Sequence, residues 1–456
     1  MGDSNAYPVS VSSLHFPSAE RATISQTLSS LRRSALSVTN RLHSIESDAQ
    51  FVQSVADHYG LPLVANERCG SWYINPDVKA GSAYFKSTDG HTGQWDFSLR
   101  RLNLQVLLIA REHGGCILVD STRRGKLMPD ALSKTIPIWC AVMNRALFPE
   151  KTEYHPVRFP PNYLGASEES QIENKIDGFV RSLKDLKLDL DDLRRKLGKP
   201  IQVSWANRAY SYPTDQLKGD EYNLLVLCSA SKRVHGAEMS EGGYIQGAGD
   251  DSEGWSHGLT PPVFWANKSI LFRTSDEDLP DLIKDLIQKH RNQGTGQQAI
   301  RIEPTRNLYI SQTDPSINDG GLYDLVIDCN GDPEVLEENP RRLNLGCGHS
   351  KLGSRDLRKS LDKVQEFVGS RLASNPSRSL LVTCETGKDL SGGALLAILC
   401  LFYTDDGEFT PSQAKRIDKQ FIRQRLAWIT SSKHDVNPSR ATLQSVNAFV
   451  MERPDY

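Results

Sequence analysis

The run SLLVTCETGKDLSGGALLAILC, residues 379–400, decides the fold of the C-terminal part of the chain. The apolar residues from Leu380 to Val382 are typical of a buried strand, and the apolar run that begins at Ala394 is typical of a helix. Between them lies a polar turn with glycines at positions 387, 392 and 393. A strand, a turn and a helix in this order predict one unit of an open α/β sheet.

The turn itself permits two interpretations. Its glycines can simply shape a strand–helix joint, or its backbone N–H groups and Lys388 can hold a phosphate at the helix N-terminus. The segment resembles the phosphate loop HCxxGxxRS of cysteine-dependent phosphatases, with Thr383 in place of the histidine and Leu390 in place of the arginine. Because a lysine cannot reproduce the bidentate arginine fork, we expect phosphate binding without phosphatase turnover. The predicted phosphate-binding residues are Cys384, Glu385, Thr386, Gly387, Lys388, Asp389, Ser391 and Gly392.

Composition sets the broad class. The 456 residues are 38% apolar and 24% charged, with a net charge of −2, which indicates a globular protein of two or three domains. A balanced charge argues against a generally basic nucleic-acid binder, so any RNA contact must come from a local patch. The eight cysteines include no CxxC pair, which favours a reduced protein. No apolar run is long enough to span a membrane, so we expect a cytoplasmic protein, and no obligate protein partner is evident.

The pattern of elements predicts two domains. We expect a flexible tail at 1–25, an N-terminal transferase domain at 26–300 and a phosphatase-like α/β domain at 301–456, with a loop-rich run at 292–298 marking the boundary. The chain as a whole is predicted to be α/β, with an α+β arrangement in the N-terminal part. An amphipathic helix is predicted over residues 173–198.

The strongest chemical signal in the first half is a strand that ends in Asp120-Ser-Thr-Arg-Arg-Gly-Lys126. Hydroxyls and backbone amides after a strand can hold phosphate oxygens, cations can neutralise them, and an aspartate can act in catalysis. The candidates are the catalytic Asp120 and the phosphate-binding Ser121, Thr122, Arg123, Arg124 and Lys126. Ordinary turn residues at a strand end are the alternative.

Two further turns carry candidate groups. Lys232 and Arg233 follow a strand predicted at 222–228, and Asp250 and Asp251 stand together in a glycine-rich turn before His257. Adjacent carboxylates repel each other, so they usually need a cation or separate partners. We predict Asp250 and Asp251 as catalytic residues and metal ligands, and Lys232, Arg233 and His257 as substrate-binding residues. A solvated acidic turn is the alternative.

Clustered arginines are candidates for RNA contact. Arg32 and Arg33 lie on a predicted helix, and Arg100 and Arg101 lie in an aromatic-rich segment. The cations at 194–199 also qualify, although a basic helix C-terminus suits the helix dipole by itself. A solvated polar face is the alternative for Arg32 and Arg33.

Three long segments carry a resemblance to one family. GCILVDSTRRGKLMPDALSKTIPIWCAVMNR (115–145), YIQGAGDDSEGWSHGLTP (244–261) and LVTCETGKDLSGG (381–393) resemble the fungal and plant initiator-tRNA 2′-O-ribosylphosphate transferases. The resemblance covers nearly the whole chain after residue 25. It implies a pentosyltransferase that moves ribose 5-phosphate from phosphoribosyl pyrophosphate to the 2′-hydroxyl of adenosine 64 in initiator methionine tRNA, which excludes that tRNA from elongation.

The expected chemistry involves Mg²⁺ and cations that absorb the charge of the pyrophosphate leaving group, and a carboxylate that activates the 2′-hydroxyl. Which loop takes the donor and which takes the tRNA stays open. Two other classes of function also stay open: a phosphatase acting through Cys384, and a tRNA-binding protein without catalysis.

Overall fold

The structure is a computed structural model that describes residues 36–88, 93–209, 220–234, 243–292, 299–313, 322–332, 341–412 and 416–451. The predicted tail at 1–25 and the predicted RNA contacts Arg32 and Arg33 lie outside the described residues.

The first domain is built on a parallel sheet of five strands in the order β2-β1-β3-β5-β4. The strands are β1 (Leu63–Asn66), β2 (Lys79–Ala83), β3 (Gly115–Asp120), β4 (Ile201–Ala206) and β5 (Asn223–Ser229). Every residue of β1, β3 and β5 is buried. Strands that are buried on both faces need helices on both sides of the sheet.

Two apolar clusters cover the two faces of this sheet. Along β3, Cys116 and Leu118 belong to one cluster, whereas Ile117 and Val119 belong to the other, as the alternation of side chains in a strand requires. The helices are α1 (Val38–Tyr59), α2 (Gln105–His113), α3 (Ile136–Leu147), α4 (Ala166–Glu173), α5 (Ile176–Lys184), α6 (Leu190–Leu197), α7 (Pro261–Leu271) and α8 (Leu279–Asn292). The α/β class is confirmed, and the sheet of the first domain is parallel where the sequence suggested an α+β arrangement.

The predicted helix at 173–198 is wrong as a single element. The structure divides this region between the end of α4, α5 and α6. Lys187 takes a positive φ of 53°, which ends the helical path after α5, and the Asp189 side chain caps α6 by accepting from the N–H of Asp192. The leucine spacing continues through the breaks because α5 and α6 both bury leucines in the same apolar cluster.

The second domain contains a sheet in the order β6-β7-β10-β8-β9, in which β6 is antiparallel to β7 and the other pairs are parallel. Its strands are β6 (Ile300–Arg301), β7 (Leu308–Gln312), β8 (Leu325–Asp328), β9 (Arg342–Asn344) and β10 (Leu380–Cys384). Its helices are α9 (Ser350–Ser374), α10 (Leu390–Phe402), α11 (Lys419–Ser432) and α12 (Arg440–Met451). β10 lies at the centre of the sheet, and all 13 residues of α10 are buried. The predicted strand–turn–helix unit is therefore confirmed as the core of this domain.

The two domains contact each other through α11 and the segment before α12. Ala427 of α11 packs into an apolar cluster of the first domain. The Gln420 amide donates to the carbonyl of Asp185 at 3.1 Å, and Arg101 donates to the side chain of Asn437 at 2.7 Å. Within the described residues, no helix has the length and apolar character needed to cross a bilayer.

A buried carboxylate joins α1 to the loops after β4 and β5. Asp48 accepts from the Tyr244 hydroxyl at 2.9 Å and from Arg208 at 3.1 Å. The Tyr244 hydroxyl also accepts from the N–H of Lys232 at 2.6 Å. Burial raises the pKa of Asp48 to about 8, although Arg208 and Tyr244 oppose the rise.

We expect this carboxylate to make stability depend on pH. Because the pKa is higher in the folded chain, stability is greatest below the unfolded pKa of about 4, falls as pH rises from there to about 8 and is level above it. One such group contributes a slope of at most about 1.4 kcal/mol per pH unit. Urea unfolding from pH 5 to pH 9 should show a flatter profile for Asp48→Asn than for the natural chain. Parallel profiles for the two proteins would contradict this role of Asp48.

Candidate active site

Polar residues collect at the carboxyl edge of the first sheet. Asn66 ends β1, Asp120 ends β3, and Ser231 follows β5, so the three neighbouring strands deliver their terminal side chains to one place. Open α/β sheets bind ligands at this edge. The loop with Asp250 and Asp251 lies against the same edge, because Asp250 accepts from the Ser121 hydroxyl at 2.5 Å.

Asp120 is completely buried and fully engaged. Its carboxylate accepts from Asn66 at 2.8 Å, from Arg68 at 3.2 Å and from the Cys69 thiol at 3.0 Å. Asn66 also donates to the carbonyl of Phe85 at 3.0 Å. Burial raises the pKa of Asp120, and the Arg68 guanidinium opposes that rise. Asp120 is therefore a group that organises the site, with no exposed surface from which to meet a substrate.

Arg68 joins the two buried carboxylates. The same Nη2 lies 3.2 Å from Asp120 and 3.5 Å from Asp250, and it donates to the carbonyl of Ser121 at 2.6 Å. Asp250 is 4% exposed. A cation between two acidic side chains offsets their repulsion and the cost of burying them.

Arg68, Asn66, Cys69 and Tyr73 were not predicted as site residues. The Tyr73 hydroxyl lies 3.0 Å from that of Ser121 and accepts from the N–H of Gly249 at 2.8 Å, so it joins two of the loops. One signal was available in the sequence: Asn66 and Arg68 follow an apolar strand directly, as Asp120 does. The rule used for β3 would have found them on β1.

Asp251 differs from its neighbour. Its side chain is 69% exposed and forms an ion pair with Arg123 at 2.6 Å, and its backbone has a positive φ of 47°. The two adjacent aspartates therefore face different arginines instead of converging on one point. Separate partners are one of the two ways in which neighbouring carboxylates avoid repulsion.

The turn at 120–126 differs in part from the prediction. Ser121 and Thr122 are buried, the Ser121 hydroxyl is engaged by Asp250, and the N–H of Thr122 donates to the Ser231 hydroxyl at 3.2 Å. Both residues therefore have little contact with solvent, and phosphate binding by Ser121 and Thr122 stays a prediction. The cations of these turns are more accessible: Arg123 is half-buried, and Arg124, Lys126, Lys232 and Arg233 are exposed.

Gln246 fixes the shape of this turn. Its side chain accepts from the N–H of Gly125 at 3.0 Å and donates to the carbonyl of Lys126 at 2.8 Å. Arg233 donates to the carbonyl of Gly125 at 2.6 Å. The neighbouring Gly247 has a positive φ of 66°, and a Cβ there would lie 2.7 Å from the carbonyl oxygen of Thr122. Glycine is therefore required where the two loops touch. His257 lies nearby in sequence on the exposed surface, also with a positive φ.

The loop after β10 lacks the arginine clamp of the phosphatases it resembles. Leu390 is 6% exposed and belongs to the apolar core of the second domain. The Cys384 sulfur lies 3.1 Å from the Ser391 hydroxyl and 3.6 Å from that of Thr386. Gly387 has a positive φ of 63°, and a Cβ there would lie 2.6 Å from the nitrogen of Gln312. The loop therefore keeps a strand-end thiol and a tight glycine turn without the guanidinium.

Charged side chains of this loop already have protein partners. Lys388 pairs with Asp435 at 3.4 Å with 52% of its side chain exposed, and exposed Glu385 pairs with His349 at 2.9 Å. Asp389 accepts from the N–H of Ser439 at 2.8 Å and from the Thr442 hydroxyl at 2.6 Å. The Asp389 carboxylate therefore holds the start of α12, and a phosphate contact of Asp389 stays a prediction. Buried Gly392 packs against Val436 and Pro438.

Arg101, one of the predicted RNA-binding residues that the structure describes, lies where the two domains meet. Its guanidinium lies 3.5 Å from the centre of the Tyr84 ring and donates to Asn437. The N–H of Asn437 in turn donates to the carbonyl of Lys388 at 3.0 Å. Burial lowers the pKa of Arg101. Arg100 is half-buried beside it, and its contact with RNA stays a prediction.

Comparison with known proteins finds a matching family model for each half of the chain. The model of the Rit1 N-terminal domain matches residues 31–288, and the model of the Rit1 DUSP-like domain matches residues 341–450. An uncharacterized protein of Schizosaccharomyces pombe is 39% identical over 433 residues, which cover 90% of this chain and 94% of that protein. The tRNA A64-2′-O-ribosylphosphate transferase of Saccharomyces cerevisiae is 34% identical over 491 residues, which cover 94% of this chain and 95% of that enzyme.

Two solved structures that are similar to a third of the chain are phosphatases. The PTP-2 phosphatase of Cydia pomonella is 14% identical with a TM-score of 0.25, over 33% of this chain and 89% of that one. The Yvh1 phosphatase domain of Chaetomium thermophilum is 18% identical with a TM-score of 0.25, over 33% and 93%. The two family models and the identity along nearly the whole length of two relatives establish that the chain belongs to the Rit1 family.

Proposed function

We propose that this protein is a tRNA-modifying transferase that moves ribose 5-phosphate from phosphoribosyl pyrophosphate to the 2′-hydroxyl of adenosine 64 of initiator methionine tRNA in the cytoplasm. The name of the Saccharomyces cerevisiae relative supports transfer of a ribosyl phosphate to the 2′-oxygen at A64 of a tRNA. The observation that carries the proposal is the placing of an exposed carboxylate, Asp251, beside Arg123, one of the cations that follow β3.

The reaction needs two kinds of group. The bond between C1 of the ribose and the pyrophosphate oxygen breaks, and the pyrophosphate leaves with the electron pair. The 2′-oxygen of the tRNA forms the new bond to C1, and its proton must be accepted. Cations stabilise the charge that develops on the pyrophosphate, and a carboxylate within hydrogen-bond reach of the hydroxyl accepts the proton.

We assign the leaving group to the exposed cations Arg124, Lys126, Lys232 and Arg233, which surround the turn at Gly125. Arg233 is already held against that turn by its bond to Gly125. Their exposure leaves them able to meet a multiply charged anion, whereas the hydroxyls of the turn are buried.

We assign proton acceptance to Asp251. It is the one of the three predicted catalytic aspartates with most of its side chain in solvent, whereas Asp120 and Asp250 are buried beside Arg68. In this assignment Asp120, Asp250 and Arg68 are positioning residues. They hold the end of β3 and the loop at 250 at a fixed distance, so that Asp251 and Arg123 face the same space.

The described residues do not fit a magnesium site built by the protein alone. The Asp250 carboxylate is engaged by Arg68 and Ser121, and Asp251 is engaged by Arg123. Where the structure describes the chain, it contains no cluster of three or more side chains suited to a metal ion. Magnesium usually binds through one or two carboxylates together with substrate phosphates, so the predicted ion would have to arrive with the donor. None of the roles assigned above depends on it.

We assign the loop at 384–393 to a phosphate of the tRNA backbone, with Lys388 as its cation. Lys388 is half-exposed and forms an ion pair with Asp435. A phosphate that binds there can therefore take the place of Asp435 as the partner of the Lys388 ammonium. The contact of Arg101 with Asn437 places this loop beside the first domain. A phosphatase function has no arginine to support it, because Leu390 is part of the core.

The test of the proposal is transfer of label from phosphoribosyl pyrophosphate to initiator tRNA. Asp251→Asn should lower the transfer rate by about 10²–10⁴-fold, the usual contribution of a general base, while donor binding is kept. Glu253→Gln removes an exposed carboxylate from the same loop and is the matched control. Full activity of Asp251→Asn would remove Asp251 from the mechanism, and a natural protein that binds tRNA but forms no product would favour the non-catalytic alternative.

Arg68 should be essential for the stability of the first domain. Arg68→Met leaves Asp120 and Asp250 buried without their cation, which should lower the free energy of unfolding by about 3–5 kcal/mol. Combining it with Asp120→Asn should restore part of that loss, because one uncompensated charge is then gone. Urea unfolding of the single and double variants measures both effects. Additive losses in the double variant would show that Arg68 and Asp120 are not coupled.

Cys384→Ser should leave transfer within about twofold of the natural rate. The thiol is buried against hydroxyls, and a serine of similar size can keep these contacts. An aryl phosphate assay on both proteins provides the second readout. Hydrolysis by the natural protein that disappears in Cys384→Ser would support the phosphatase alternative instead.

A further inference from the structure

A groove of about 470 Å³ lies between the two domains. One wall comes from residues 96–100 and α5 of the first domain, and the other comes from α11 and α12 of the second. Neither domain alone provides both walls, so a ligand in this groove would contact both at once.

The charge of the groove is mainly positive. Arg100, Lys419 and Arg423 line it, and Asp96 is the one acidic residue among those that do. Among the described residues, none of these three cations forms an ion pair. Half-buried Arg100 is also next to Arg101. Because the two positive charges repel each other, Arg100 is less stable without a nearby anion.

Other basic clusters of the chain are neutralised by the protein itself. Arg194 pairs with Glu150 at 2.6 Å, and Arg195 and Lys196 pair with Asp192 at 3.4 and 2.7 Å. These cations were also candidates for RNA contact from the sequence. Their acidic partners distinguish them from the cations of the groove.

Part of the lining of the groove is apolar. Phe97 and Phe179 face each other with ring centres 6.4 Å apart, and Ile422 and Leu426 line the opposite side. A lining that contains both cations and apolar side chains suits a ligand that carries negative charge and also presents apolar surface. Nucleotides have this combination, with phosphates on one side and sugar and base on the other.

The groove begins next to both candidate loops. Arg101, which follows Arg100, bonds to Asn437, and the N–H of Asn437 bonds to Lys388 in the loop after β10. Arg101 also stacks on Tyr84, and the adjacent Phe85 accepts from Asn66 at the carboxyl edge of the first sheet. A chain of nucleotides in the groove could therefore reach either loop.

We propose that this groove binds the phosphate backbone of an RNA, with Arg100 of the first domain and Lys419 and Arg423 of the second as the phosphate contacts. The identity of that RNA as the tRNA substrate rests on the proposed function. A-form RNA is recognised largely through its shape, phosphates and 2′-hydroxyls, which matches a groove whose charged contacts are exposed cations. The proposal gives the phosphatase-like domain a role in holding the substrate.

The experiment measures binding of an unmodified initiator tRNA transcript to the full chain by fluorescence anisotropy at several salt concentrations. The variant Arg100→Ala/Arg423→Ala should bind about 10–100-fold more weakly at low salt, with a shallower dependence on salt because two phosphate contacts are lost. The matched control is Arg194→Ala/Arg195→Ala, which removes the same charge from paired positions and should change affinity less than twofold. Thermal unfolding of both variants checks that they are folded.

Two results would overturn the proposal. One is unchanged affinity and salt dependence in the groove variant, and the other is a loss as large in the control variant. Competition with polyglutamate tests whether an acidic protein is the occupant of the groove. If polyglutamate displaced the tRNA at an equal concentration of negative charge, the proposal would also be overturned. If the natural protein binds tRNA through the groove but forms no donor-dependent product, the proposed function fails while the groove assignment stands.

A KM-against-kcat measurement separates this binding role from catalysis. In the groove variant the KM for tRNA should rise with the loss of affinity, while kcat at saturating tRNA and the affinity for phosphoribosyl pyrophosphate stay unchanged. A fall in kcat at unchanged KM would overturn the assignment of the groove to substrate binding.

Discussion

The first domain depends on one cation between two buried acids. Asp120 ends β3, Asp250 lies in a loop more than a hundred residues later, and Arg68 follows β1. Two carboxylates removed from water repel each other and lose hydration, and each loss costs several kcal/mol unless a partner is present. Arg68 contacts both, so three distant segments meet at one edge of the sheet because their charges require it.

The same interaction separates the roles of two neighbouring residues. Because Asp250 is held inward by Arg68 and Ser121, the chain turns through a left-handed conformation at Asp251 and directs that side chain outward. The inner carboxylate fixes the loop, and the outer one is left in contact with solvent. Gly247 and Gly249 allow this loop to lie directly on the turn after β3 and on Tyr73, where a Cβ at either position would collide.

Much of this arrangement follows from local sequence. The strand ends at Asp120 and Cys384 and the glycine-rich acidic loop were predictable, because a change from apolar to polar residues marks where a buried strand ends. The residues that these side chains contact were not predictable. The sequence does not show that Ser121 and Thr122 are buried, that Asp389 faces α12, or that Arg68 belongs beside Asp120. These facts depend on which strands are neighbours, and the order β2-β1-β3-β5-β4 differs from the order in the chain.

The second domain illustrates how a loop can lose one chemistry and keep its geometry. Leu390, in the core, supplies no guanidinium at the arginine position of the phosphatase loop, yet the tight turn still requires Gly387 and Asp389 still anchors the start of α12. Asn437 donates to the carbonyl of Lys388, next to Asp389, and accepts from Arg101 of the first domain. The structure of the loop is therefore maintained by contacts that serve the joining of the two domains. A loop under that constraint keeps its shape whether or not its cysteine reacts, which accounts for a phosphatase-like turn in a chain whose proposed catalytic carboxylate, Asp251, lies in the first domain.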